Sequence, residues 1–166
     1  LGDDTEYLQN LINQKRKIPA GTYDVKSEIG LRVPSNTILA LTGVVLIAMP
    51  TDAAVYSVIH IEDAHNVTVV NGVIIGDRYS HMTDTGEWAM GIAVRRSNKV
   101  TVIGTKVYDC WGDGIYLAEG STSVNIVSAL CYGNRRQGLS LVGGSGVNIL
   151  SSVFCNTGGT LPSCGI

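Results

Sequence analysis

Four stretches of this chain superpose once their alternating Val and Ile positions are aligned. They are Asn66–Val70, Lys99–Ile103, Ser123–Val127 and Gly146–Leu150, and their starts step by roughly 33, 24 and 23 positions, the scale of a solenoid repeat. A second register, Gly91–Val94, Gly114–Leu117 and Gly138–Leu141, advances by the same two shorter steps. Two registers with one period mark an internal repeat, and Asn36–Ala40 supplies an earlier copy upstream of Asn66. Alternation sends Val67/Val69, Val100/Val102, Val124/Ile126 and Val147/Ile149 to one face, and Thr68, Thr101, Asn125 and Asn148 to the other.

A period this short does not suit a propeller blade, and the chain lacks the leucine-rich signature. It fits one coil of an all-β, single-stranded right-handed parallel β-helix whose coils stack about 4.8 Å apart. Like residues then form columns, and one interior column is Ile74, Val107, Cys131 and Phe154. Charged residues at 16% and three Phe plus Trp, against many Val, Ile, Gly, Ser, Thr and Asn, agree with short strands over a helical bundle. Leu8, Leu11 and Ile12, preceded by Asp3, Asp4 and Thr5, predict a short amphipathic α-helix capping the first coil. The expected organisation is one domain over 1–166: a cap at 1–17, coils at 18–157 and a tail at 158–166. No comparable cap follows Asn156, so the expectation is that further chain or a partner covers that end.

A net charge of −2 gives no broad basic field, so sequence-independent nucleic-acid binding is not expected. The longest apolar run, Thr37–Met49, is shorter than a membrane span. Cys110, Cys131, Cys155 and Cys164 form no CxxC pair, so no zinc site is expected; a Cys155–Cys164 disulfide closing the tail is one reading.

Gly2-Asp3-Asp4-Thr5 with Gln9 and Ile12, then Ile18–Tyr23 and Val33–Thr37, resembles the entry to the pectin-lyase-like β-helix superfamily, which includes phage tailspikes and bacterial polysaccharide-degrading proteins. Gly86-Glu87-Trp88, Met90-Gly91-Ile92 and Trp111–Ile115 resemble signatures of the same group. The resemblance implies the fold, a place outside the cell or on a virion surface, and a homotrimer. It does not select a reaction, because such proteins include lyases, hydrolases, epimerases and adhesins.

Function is sought where the repeat breaks. The long step from Asn66 to Lys99 inserts about ten residues between Ile75 and Gly91, and such insertions project from one corner of a solenoid. In the next two coils that corner is Asp109–Asp113 and Asn134–Gln137. Both tryptophans, Trp88 and Trp111, fall there with Asp77, Arg78, His81, Glu87, Asp109, Asp113, Arg135 and Arg136. Flat rings suit the C–H faces of sugars, and carboxylates and guanidinium groups suit hydroxyls and sugar acids, so a polysaccharide is the expected partner.

The leading expectation is glycosidic hydrolysis by paired carboxylates, one protonated and one ionised. Glu87, Asp109 and Asp113 are the candidates, with Asp77 next; Trp88, Trp111, Arg78, His81, Arg135 and Arg136 are candidates for substrate binding. The alternatives are a noncatalytic glycan-binding module and β-elimination of a uronate. For the latter, Arg78, His81 or Lys106 is the base, and Ca²⁺ sits on Asp77, Asp109 and Asp113. No cofactor is otherwise expected.

Structural readings stand beside these. Asp113 and Asp109 are turn formers, Trp88 and Trp111 local packing, Asp77-Arg78 an internal ion pair and Arg135-Arg136 a solvated basic pair. His60 and His65 lie away from the insertion and read as structural.

Overall fold

Thr5–Asn13 forms a helix, α1, and buries Leu8, Leu11 and Ile12 on a single stripe, as their spacing requires. Its start is stitched to the first coil. Asp3 Oδ1 accepts from Thr5 N at 2.9 Å, Asp4 Oδ2 from Asp24 N at 2.9 Å, and Thr5 Oγ1 from Lys26 N at 2.8 Å. The structure, a computed structural model, describes residues 2–166; Leu1, the first residue of the expected cap, lies outside them.

The strands follow in chain order: Gly21–Val25 (β1), Leu31–Arg32 (β2), Thr37–Ala40 (β3), Val44–Ala48 (β4), Val55–Glu62 (β5), His65–Val70 (β6), Val73–Ile75 (β7) and Trp88–Arg95 (β8). Then come Asn98–Ile103 (β9), Lys106–Tyr108 (β10), Ile115–Val127 (β11), Leu130–Tyr132 (β12), Leu139–Leu150 (β13) and Val153–Cys155 (β14). Every pairing between these strands is parallel. The first face stacks β1, β4, β7, β10, β12 and β14. The second stacks β2, β5, β8 and the leading halves of β11 and β13; the third stacks β3, β6, β9 and their trailing halves. Along the first face Gly21 pairs with Val44, Val45 with Val73, Val73 with Lys106, Lys106 with Leu130 and Leu130 with Val153. The step from Val73 to Lys106 is the widest of these, so the coil of β7 to β9 is the longest.

Both sequence registers are structural registers. Val67 pairs with Val100, Val100 with Val124 and Val124 with Val147; Ile92 pairs with Ile115 and Ile115 with Leu139. The column of Ile74, Val107, Cys131 and Phe154 is present, preceded by Leu46. Each buried Val or Ile in such a column contributes about 1.5–3 kcal/mol of apolar burial. The residue that opens each repeat in the third-face register, Asn36, Asn66, Lys99, Ser123 and Gly146, has a φ of 53–61°. It turns the chain into that face, a left-handed bend that Asn tolerates well. One detail differs from expectation: β11 and β13 run across the bend between the second and third faces, with an irregularity between Ala118 and Ser121, rather than dividing there.

Candidate functional site

Loops leaving the first face and entering the second pile onto one corner: 49–54, 76–87, 109–114, 133–138 and the segment after Cys155. The inserted loop 76–87 is tied to its neighbours by backbone. Met82 N donates to Thr51 O at 2.9 Å, Arg78 N to Asp109 O at 2.9 Å and Trp88 N to Ala54 O at 3.2 Å. The expected convergence of three coils on one edge is therefore present. What the converging residues do there differs from expectation.

Asp77 is buried, and its carboxylate accepts from the hydroxyl of Tyr56 and faces His81 Nδ1 at 2.7 Å. The expected Asp77-Arg78 ion pair is corrected: Arg78 reaches the carbonyls of Gly133 and Gly158 and pins the loop to a later coil. His81 stacks on Trp111 with ring centroids 4.2 Å apart, and Arg135 lies over the other face of Trp111 at 3.8 Å. Trp111 is 8% exposed and donates to Thr85 O at 3.4 Å; Arg135 donates to Gly86 O at 3.0 Å. This sandwich is a bolt through the insertion. Trp111, expected to face a substrate, is here enclosed between His81 and Arg135.

Asp113 is fully buried and accepts from Arg136 Nε at 2.7 Å, from a second Arg136 nitrogen and from Ser140 Oγ at 2.7 Å. Both oxygens are engaged in this buried ion pair. The solvated reading of Arg136 is corrected too: it is buried, and the bond to Asp113 pushes its guanidinium further up. Asp77 and Asp113 are enclosed in separate networks, so Asp77, Asp109 and Asp113 are not gathered into one ion-binding set. The four cysteines are free, which corrects the Cys155–Cys164 disulfide.

Three candidates remain accessible. Trp88, the first residue of β8, is 39% exposed; its ring meets Tyr116 edge-on at 5.9 Å, and Arg136 stands over it at 4.4 Å. Glu87 precedes it, half-buried, with Thr160 Oγ1 3.5 Å from its carboxylate. Asp109 sits on the opposite flank of the corner, directly after β10; burial pushes its carboxyl up, opposed by Arg78.

Sequence reasoning missed Tyr56, which holds Asp77, and Tyr116, which flanks Trp88. Tyr116 was legible in the second-face register, where alternation with Ile115 and Leu117 turns it outward. With Met90, Ala93 and Ala118 it forms a small apolar cluster outside the core, and Arg95 lies over its ring at 5.2 Å.

A model of the right-handed β-helix region matches residues 52–166, and the chain belongs to that family. Two relatives from Bacillus subtilis strain 168 match it. The SPbeta prophage-derived protein YorA is 37% identical over 97 residues, covering 54% of this chain and 17% of that protein. The protein YclG is 26% identical over 179 residues, covering 89% of this chain and 31% of that protein. The chain thus spans less than a third of either relative.

Among solved structures, the A-module of the Azotobacter vinelandii mannuronan C-5 epimerase AlgE4 superposes with a TM-score of 0.76 at 16% identity, over 95% of this chain and 48% of that one. PfbA, a surface adhesin of Streptococcus pneumoniae, gives 0.74 at 16% identity over 94% and 46%. A protein proposed to be a glycosyl hydrolase from Parabacteroides merdae gives 0.67 at 12% identity over 92% and 89%. At these identities the likeness is one of fold.

Proposed function

We propose that this chain is a polysaccharide-binding β-helix, a single-stranded solenoid acting outside the cell or on a virion surface, which takes a glycan against Trp88. The observation that carries this reading is the exposed indole at the start of β8, standing nearly perpendicular to the ring of Tyr116 with the guanidinium of Arg136 over one of its faces. A ring held on two sides offers a sugar an ordered apolar platform with a charged rim. The epimerase and adhesin neighbours, and a prophage-derived relative, support the context. The homotrimer implied by the tailspike resemblance belongs to the same proposal.

Hydrolysis is the second reading, and Glu87 favours it. It is the candidate carboxylate next to the platform, outside any buried ion pair, with Asp109 across the corner as its partner. Elimination has less support, because Arg78 and His81, two of its expected bases, are built into the loop.

Binding to a panel of bacterial surface polysaccharides tests the proposal. Trp88→Ala is expected to weaken glycan binding by about tenfold or more while leaving the circular dichroism of the coils unchanged. Undiminished binding by this variant overturns the platform. Saturated fragments that disappear in Glu87→Gln indicate hydrolysis, unsaturated fragments elimination, and binding without fragments a module.

A further inference from the structure

The second face carries another feature, one coil away from Trp88 and about 17 Å along the strands. A cavity of about 400 Å³ lies between α1 and the outer surface of β2 and β5, lined by Gln9, Asn13, Gly30, Arg32, His60 and Glu62. Its volume falls within the range of about 300–1,000 Å³ usual for small-ligand sites. Arg32 pairs with His60 in register and Glu62 lies two residues on, so alternation turns all three outward. Gln9 accepts from Arg32 N at 2.8 Å and donates to Arg32 O at 2.9 Å, which satisfies the edge of β2 and fixes α1 as one wall.

The polar groups here are ordered rather than scattered. Glu62 accepts from Arg95 at 2.6 Å and Arg32 at 3.2 Å, and stands 3.3 Å from His60 Nδ1. Burial works against its charge, but Arg95 and His60 hold its carboxyl below the ordinary range. Desolvation pushes His60 below its ordinary value, against the pull of Glu62. An ionised Glu62 beside a neutral imidazole makes Nδ1 the donor and leaves Nε2 an acceptor. Among the described residues, Nε2 has no hydrogen-bond partner and is not sealed from solvent.

Gly30, at φ 62°, keeps that edge clear: a Cβ there would collide with the carbonyl of Ser57 and stand 2.7 Å from Nε2. Arg95 is shared between Glu62 and Glu119, so Arg32, 66% exposed at the lip, is the guanidinium left to meet a ligand. One exposed guanidinium with nitrogens to spare beyond its bond to Glu62, one fixed acceptor and an apolar floor of Ile29, Val33 and Pro34 match a single carboxylate, a hydroxyl and a ring face.

We propose that this cavity binds a sugar acid, a hexuronate either free or at the end of a glycan, with its carboxylate on Arg32 and a hydroxyl donating to His60 Nε2. The proposal goes beyond the Trp88 platform and does not depend on it. Calorimetry with glucuronate and galacturonate, set against glucose and galactose, tests it. The acids are expected to bind at least about tenfold more tightly than the neutral sugars, the worth of one charge-assisted hydrogen bond. Arg32→Ala, at an exposed position, is expected to erase that preference. Glucuronate is expected to shift the ¹⁵N resonance of His60 Nε2, and Trp88→Ala is expected to keep monosaccharide binding intact. Oligouronates binding more tightly than the monomer identify the glycan end as the source, and equal affinity identifies the free acid. Equal affinity for acids and neutral sugars, an unaltered Arg32→Ala, a silent His60 resonance or loss of uronate binding in Trp88→Ala overturns the proposal.

Discussion

At Asp113 a charge has been taken entirely out of water, and it persists there because Arg136 meets it with two nitrogens and Ser140 with a hydroxyl. Breaking such a pair from one side leaves the other charge buried and uncompensated. Asp113→Ala is therefore expected to cost about 3–5 kcal/mol and to lower the thermal midpoint by an amount on the order of 10 °C. A melt within about 1 kcal/mol of the parent would show the pair to be solvated. The Gly112-Asp113-Gly114 turn was visible in the sequence; the partner was not, because Arg136 belongs to the next coil and meets Asp113 only through coil stacking. Trp111 teaches the same lesson, its two faces being taken by His81 and Arg135 from different coils.

The loop 76–87 is an element without regular structure of its own, held by what it touches. At Gly112 the neighbouring coil packs tightly against the end of this loop. A Cβ there would collide with the carbonyl of Glu87 and lie 2.8 Å from Ala89 N, while Gly112 N donates to Ala89 O at 2.8 Å. Gly112→Ala is expected to cost about 1–3 kcal/mol as an overpacking change. Hydrogen exchange would report it as faster exchange across 76–88, with the first and third faces unchanged; uniform acceleration over all coils would contradict this local account. The presence of the insertion was legible from the repeat, since the step from Val67 to Val100 is longer than those from Val100 to Val124 and from Val124 to Val147. Its inward attachment was not, since Tyr56, Thr85 and Gly158 give no periodic signal.

Across the whole molecule, charges on the outer surface form a ladder: Arg32, Glu62, Arg95 and Glu119, continued by Arg96 and Asp63. Its titration has a definite sign. His60 holds its proton less readily folded than unfolded, so as pH falls below its ordinary 6.5 the unfolded chain gains the proton first and stability declines. Glu62 and Glu28 are held below their ordinary 4.5, so the stability they confer above that value is lost as pH falls through their folded values. Urea midpoints are expected to fall in two stages on acidification, and His60→Gln to remove the first; a midpoint flat down to 4.5 would rule out a desolvated His60. By itself the sequence determined the coil, the columns, the cap helix and the corner where the candidates gather, because parallel stacking repeats one spacing and copies it into the order of residues. Only the tertiary structure decided that Asp77, Asp113, His81 and Trp111 hold that corner together while Trp88 faces outward. Burial and pairing there depend on side chains from different coils, whose meeting no local pattern encodes.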